Sequence, residues 1–208
     1  MRKNGRRGGA KGGGTRRRKS VRRFPAAHIF VREGEGMENT KNRENREKGK
    51  KTYRLNFEMV PEECWYANLR SVLPREVWDR IRRDAYARAG GRCMICGART
   101  SRLEAHERWS YDEKRKIQKL EDVVAVCRPC HEVIHISRTQ LMGRGVEAME
   151  HFMKVNGCTQ SEFHEALGDA NRLYRKRNEV EGWVTDLSFL RERFGISGLP
   201  GTSEKGEK

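Results

Sequence analysis

Two Cys-x-x-Cys pairs, Cys93-Met94-Ile95-Cys96 and Cys127-Arg128-Pro129-Cys130, stand thirty residues apart and restrict the fold of this chain more than any other feature. Each pair can set two thiolates on one ion, and four together close a tetrahedral shell, so structural zinc is the expected occupant. A disulfide pairing is the alternative. The opening Met1-Arg2-Lys3-Asn4-Gly5 leads into no apolar stretch, and 36% of the residues are charged. That is the profile expected of a cytoplasmic protein, whose thiols stay reduced and free for metal. Cys64 and Cys158 have no partner at this spacing and read as ordinary semi-buried cysteines.

At 208 residues the chain has room for one domain with tails, and a metal staple supports a core that burial alone would stabilise weakly. No stretch approaches the roughly 18 apolar residues of a membrane span, so no membrane association is expected. The net charge of +16 is lopsided, because residues 1–32 hold twelve of the 45 Lys and Arg residues and no acid. A segment so basic and glycine-rich cannot bury enough apolar surface to offset its ordering entropy. A disordered basic tail over 1–52, a folded domain over 53–197 and a disordered end over 198–208 are therefore expected. Such arms neutralise phosphates and give salt-sensitive affinity for nucleic acid, with Arg16, Arg17, Arg18 and Lys19 as candidate contacts. The plainer reading is a solubilising or targeting tail.

Within the domain, Val77, Trp78, Ile81, Ala85 and Tyr86 recur at helical spacing after Pro74 and stop at Gly90-Gly91. This helix leads into the first cysteine pair, with Trp78 on its apolar stripe as a core anchor. The run Leu103 to Trp109 alternates as a strand, putting Leu103, Ala105, Glu107 and Trp109 on one face and Glu104, His106 and Arg108 on the other. Tyr111 to Lys114 read as a connector, and Val123 to Val126 as a short apolar strand entering Cys127. From Cys130 to His135 a helix is expected, with His131 and His135 on one face at i and i+4.

The last third reads as helical. Gly145 to Val155 carries Val146, Met149, Phe152 and Met153 and ends at Asn156-Gly157; Thr159-Gln160-Ser161-Glu162 is a capping-box start for a helix to about Arg177, with Phe163, Leu167, Ala170 and Leu173 inward. A short helix from Asp186 to Phe194 closes the domain. His151 and His164 fall in these helices and suit surface or packing roles.

The order of cysteine pair, strand with His106-Glu107, apolar strand, and Cys130-His131-Glu132-Val133-Ile134-His135 resembles the HNH endonucleases over residues 90–137. More closely, the run Leu103 to Asp112 together with Cys130 to His135 looks like a group of bacterial and phage HNH-type proteins of poorly defined function, a similarity that extends from Trp65-Tyr66-Ala67-Asn68-Leu69-Arg70 to Trp183. The resemblance implies an α+β fold: a zinc-stapled ββα-metal, treble-clef-like core over 90–137, braced by helices on the N-terminal side and over 138–197. It implies a catalytic divalent ion, Mg, Mn, Ni or Zn, held by His106, His131 and His135, beside a structural zinc on Cys93, Cys96, Cys127 and Cys130. Glu107 falls where the family has its general base, usually histidine, a catalytic role that passes to His106 if the alignment slips by one, and Asp122 falls where an asparagine usually orients that base. The implied activity is metal-dependent hydrolysis of phosphodiester bonds in DNA, or in RNA, with Arg108 and Arg128 near enough to touch phosphates. Taken singly, His106 reads as a strand histidine and His131 or His135 as a helix residue capping the zinc. A non-catalytic zinc-containing nucleic-acid-binding protein on the same scaffold is the competing reading.

Overall fold

The computed structural model describes residues 51–65 and 68–198, so the basic tail with Arg16 to Lys19, the residues Tyr66 and Ala67, and the C-terminal end lie outside the described residues. The described chain is mixed α and β. After an extended stretch and a single 3-10 turn at Glu62–Cys64 come α1 (Leu69–Val72) and α2 (Arg75–Ala89). The hairpin β1 (Leu103–Asp112) and β2 (Ile117–Cys127) follows, then α3 (Arg128–Ile134) and α4 (Ile136–Leu141). The chain continues through α5 (Gly145–Asn156), α6 (Gln160–Asn178), β3 (Val184–Asp186) and α7 (Ser188–Phe194).

The three strands form one sheet in the order β1-β2-β3, antiparallel between the first two and parallel between the last. Strand β2 lies in the middle with helices on both faces. Val124 and Val126 pack with Phe57, Val133, Phe152 and Phe163 on one side. Val123, Ala125 and Leu120 pack with Leu69, Ile81, Leu190 and Phe194 on the other. A strand covered on both faces reads as a continuous apolar run, which is why Val123 to Val126 shows no alternation.

Local signals for helix ends hold well. Gly90, Gly157 and Gly195 take left-handed conformations just past α2, α5 and α7, which glycine adopts without a Cβ penalty. The capping box forms as expected, with the Thr159 side chain accepting from the Glu162 amide and Glu162 accepting in return from the Thr159 backbone. Trp78 packs against the cluster that holds Ile81 and Ala85.

Several expectations need correction. Tyr111 and Asp112 belong to β1, and β2 starts six residues before Val123, because the hairpin turns over only four residues, 113–116. Tyr111 is held there by the Arg177 guanidinium, 4.0 Å over its ring, and by Gln118, whose side-chain amide donates to its hydroxyl at 3.2 Å. Asp186 ends β3 and accepts from the Ser188 amide, so α7 starts later than its apolar pattern suggested. Val146 is 61% exposed and Leu173 37%, since Ala148 with Phe152, and Phe163 with Leu167, supply the buried faces of α5 and α6. Finally, α3 stops at Ile134: His135 leaves helical geometry at φ −97, ψ 47, and separates α3 from α4.

No helix among the described residues is long and apolar enough to cross a membrane.

Candidate metal centres

The first centre grows from two tight turns. After α2, Cys93 donates its amide to Ala98 and accepts at its carbonyl from Gly97, both at 2.9 Å, with Gly97 at φ +78. Met94 donates to the Ala125 carbonyl at 2.9 Å, tying this turn to β2 two residues before Cys127. The second pair sits where β2 becomes α3, with Cys127 as the N-cap and Pro129 within the first turn, where a missing amide hydrogen is harmless. All four sulfurs lie within 4.8 Å of one another, and none is in a disulfide.

That arrangement fits a metal ion such as zinc. Zinc–sulfur bonds of ~2.3 Å in a tetrahedron put neighbouring sulfurs about 3.8 Å apart, and Cys96 and Cys127 are 3.6 Å apart. The thiols also perturb one another strongly. A hydrogen bond from Cys130 lowers the Cys93 thiol to about 4, while that same hydrogen bond, with burial, drives Cys130 up, and desolvation raises Cys127 to about 11. Four thiolates cannot ionise together in this space without a cation, which a divalent ion supplies. From α5, His151 reaches the cluster, its Nε2 3.2 Å from the Cys130 sulfur. Its expected surface or packing role is thus more specific: it can donate to a metal-bound sulfur, the outer-sphere contact that tunes such sites.

The second centre lies one residue further on. His106 projects from β1, and His131 and His135 come from the face and the end of α3. Their rings stand at centroid separations of 5.3, 5.1 and 4.7 Å, and one nitrogen of each lies within 4.8 Å of the others. Three imidazoles bound ~2.1 Å from one ion would have centroids roughly 5 Å apart. Carboxylates hold two of the rings: Glu58 Oε2 lies 2.8 Å from His106 Nε2, and Glu104 contacts His131 Nδ1. A carboxylate on one ring nitrogen fixes the tautomer and turns the other nitrogen to a metal. The His135 ring makes no hydrogen bond to another described residue. Burial lowers the pKa of His131, against the pull of Glu104, and takes His135 down to about 3, with His106 and His131 adding to the fall. Neutral imidazole is the ligand form, and it suits zinc, nickel, manganese or iron, while magnesium prefers oxygen.

Glu58 was not singled out by the sequence. Its signal was present: Leu55, Phe57 and Met59 alternate and are buried, which leaves Asn56 and Glu58 facing the other way. The Glu58 amide donates to the Ile134 carbonyl at 3.0 Å, docking this segment against the end of α3. Asn156 clamps it from α5, accepting from the Leu55 amide at 3.0 Å and donating to its carbonyl at 2.8 Å. Glu58 Oε1 accepts from the Trp109 amide at 3.2 Å. Both of its oxygens are therefore engaged.

Two expected site residues are not brought to the histidines. Glu107 points to the opposite face of β1, as strand alternation requires, and accepts from the Leu69 amide at 2.8 Å. Burial raises its pKa, yet the carboxylate is occupied in anchoring α1. Asp122 sits at a β-bulge, where Arg108 opposes it and the next pair is Trp109 with Leu120. It accepts from Arg88 at 2.9 and 3.2 Å, which ties α2 to β2. Arg108 is exposed on β1, and Arg128 is exposed but paired with Glu132 at 2.9 Å along α3.

Comparison with family models, with curated proteins and with solved structures found no match for this chain.

Proposed function

We propose that this chain is a metal-dependent nuclease of the HNH kind, hydrolysing phosphodiester bonds in DNA, with RNA as the alternative substrate. The observation that carries the reading is the convergence of three histidines, two of them braced by carboxylates, one residue beyond a four-cysteine centre. Zinc on Cys93, Cys96, Cys127 and Cys130 would fix the hairpin to α3. A divalent ion on His106, His131 and His135 would supply Lewis-acid stabilisation of the phosphate and of the leaving oxygen.

The protein's own part is to position and to move a proton. Glu58 holds the His106 ring and Glu104 the His131 ring. Glu104 is 44% exposed and is bonded to His131 through one oxygen, so water reaches it. It is the carboxylate beside the histidines able to accept a proton from the attacking water, the role the resemblance gave to Glu107. The water oxygen bonds to phosphorus as a P–O ester bond breaks, leaving a phosphate monoester and a hydroxyl.

A binding-only protein on the same scaffold is the second reading, favoured by the structural engagement of Glu107 and Asp122. Plasmid nicking by the purified chain with Mg, Mn, Ni or Zn separates the two. The nuclease reading expects cleavage that disappears in His131→Ala and falls at least about tenfold in Glu104→Gln. Binding without cleavage under every metal overturns it.

A further inference from the structure

The turn that carries Cys93 and Cys96 is surrounded by arginines that the metal chemistry does not use. Arg92 and Arg99 face each other across an antiparallel bridge at its base, and both are exposed. Residues directly opposite in such a bridge project to the same side with Cβ atoms about 5 Å apart, where like charges destabilise. Arg92 also leans on the Gly97 carbonyl, Nη1 to O at 3.4 Å. The Arg54 guanidinium comes to the same glycine from the extended N-terminal segment, 3.9 Å from where a Cβ would sit. Two guanidinium groups thus reach one small turn, and a third arginine stands at its base.

Several arginines elsewhere are paired with carboxylates, while others, such as Arg70, Arg102 and Arg138, have no such partner among the described residues and stand outside this cluster. Arg82, Arg88, Arg128, Arg144, Arg177 and Arg193 each have a carboxylate within 3.4 Å. Arg54, Arg92 and Arg99 have no carboxylate partner among the described residues. A concentration of like charge without internal compensation calls for an external anion, and the guanidinium fork matches phosphate oxygens.

We infer that Arg54, Arg92 and Arg99 around the cysteine turn form a docking surface for the phosphate backbone of nucleic acid. The partner is nucleic acid rather than an anionic membrane, because a row of phosphodiesters needs only cationic contacts while membrane binding needs an apolar face as well. The charge of the rest of the chain points the same way, since the segment 1–32 is basic without a single acid. The inference rests on the nucleic-acid part of the proposed function and not on cleavage. It makes the cysteine turn a contact surface as well as a staple.

The test is anisotropy titration of the full chain on a short duplex of arbitrary sequence across a salt series, without added divalent ion. In the triple variant Arg54→Gln, Arg92→Gln, Arg99→Gln, the slope of log affinity against log salt should flatten by about 2 to 3. Zinc content and circular dichroism should match the parent. The triple Arg83→Gln, Arg115→Gln, Arg172→Gln removes equal charge from exposed arginines that already face carboxylates and should change the slope by less than about 1. Arg54→Lys, Arg92→Lys, Arg99→Lys should restore the parental slope. Equal flattening in both Gln triples overturns the proposal, as does parental binding by the first. So does a first triple that keeps the duplex but loses phosphatidylserine vesicles or polyglutamate. Because cleavage is not read, a chain that cuts nothing still decides this question.

Discussion

The two clusters lie side by side on one hairpin and one helix, and they differ in how they are closed. The four cysteines offer a complete tetrahedral set, three of them buried. The three histidines offer an incomplete one, braced by Glu58 and Glu104 without either joining the ligand set. Filled coordination is the mark of a structural ion, and an open position is where a substrate or water binds. Under the proposed function, the neighbouring residues Cys130 and His131 would thus serve opposite requirements: one would help lock the fold, the other would leave a position for water or substrate.

That contrast predicts unequal consequences of damage. Cys130→Ser should cost on the order of 5 kcal/mol or more, seen as a lost or greatly lowered thermal transition, because the ion's binding energy is folding energy. His135→Ala should cost far less, within about 1–2 kcal/mol, and leave the transition cooperative. A His135→Ala protein that unfolds as completely as Cys130→Ser would erase the distinction.

A smaller effect separates the two glutamates. Glu58→Gln weakens the carboxylate that orients His106, so affinity for the second ion should fall about 10- to 100-fold in a competition titration. Glu107→Gln should leave that affinity unchanged and lower stability by about 1–2 kcal/mol, through the bond to the Leu69 amide. The reverse pattern would restore Glu107 to the site.

A further effect, absent at neutral pH and growing only as the solution is acidified, is on pH dependence. His135 is held near 3 in the fold against an ordinary 6.5, so the unfolded chain takes up its proton first. Its contribution is intact above pH 6.5 and is lost as pH falls from there toward 3, at up to about 1.4 kcal/mol per pH unit. In metal-free protein, urea titrations over this window should show a shallower decline for His135→Ala than for the parent. Parallel declines would place His135 in water.

How much of this was readable follows from how local each signal is. Four cysteines in two Cys-x-x-Cys pairs announce their own geometry, and the helix ends at Gly90, Gly157 and Gly195 are set by one residue each. His131 and His135 were legible as a helical pair, and His106 as their partner only through resemblance. Glu58 was not, because 48 residues separate it from His106 and its position depends on docking against Ile134 and Asn156. Glu107 and Asp122 were expected at the site through resemblance, which aligns positions but not side-chain directions: alternation turns Glu107 to the other face and a bulge leaves Asp122 with Arg88.

The most direct test of two unlike centres is metal stoichiometry by elemental analysis after dialysis against graded chelator. The account predicts one zinc per chain that survives mild chelation and a second, readily exchanged divalent ion. His135→Ala should abolish the second and spare the first. A single ion lost together in Cys130→Ser and His135→Ala, with no second ion bound under any loading condition, would contradict it.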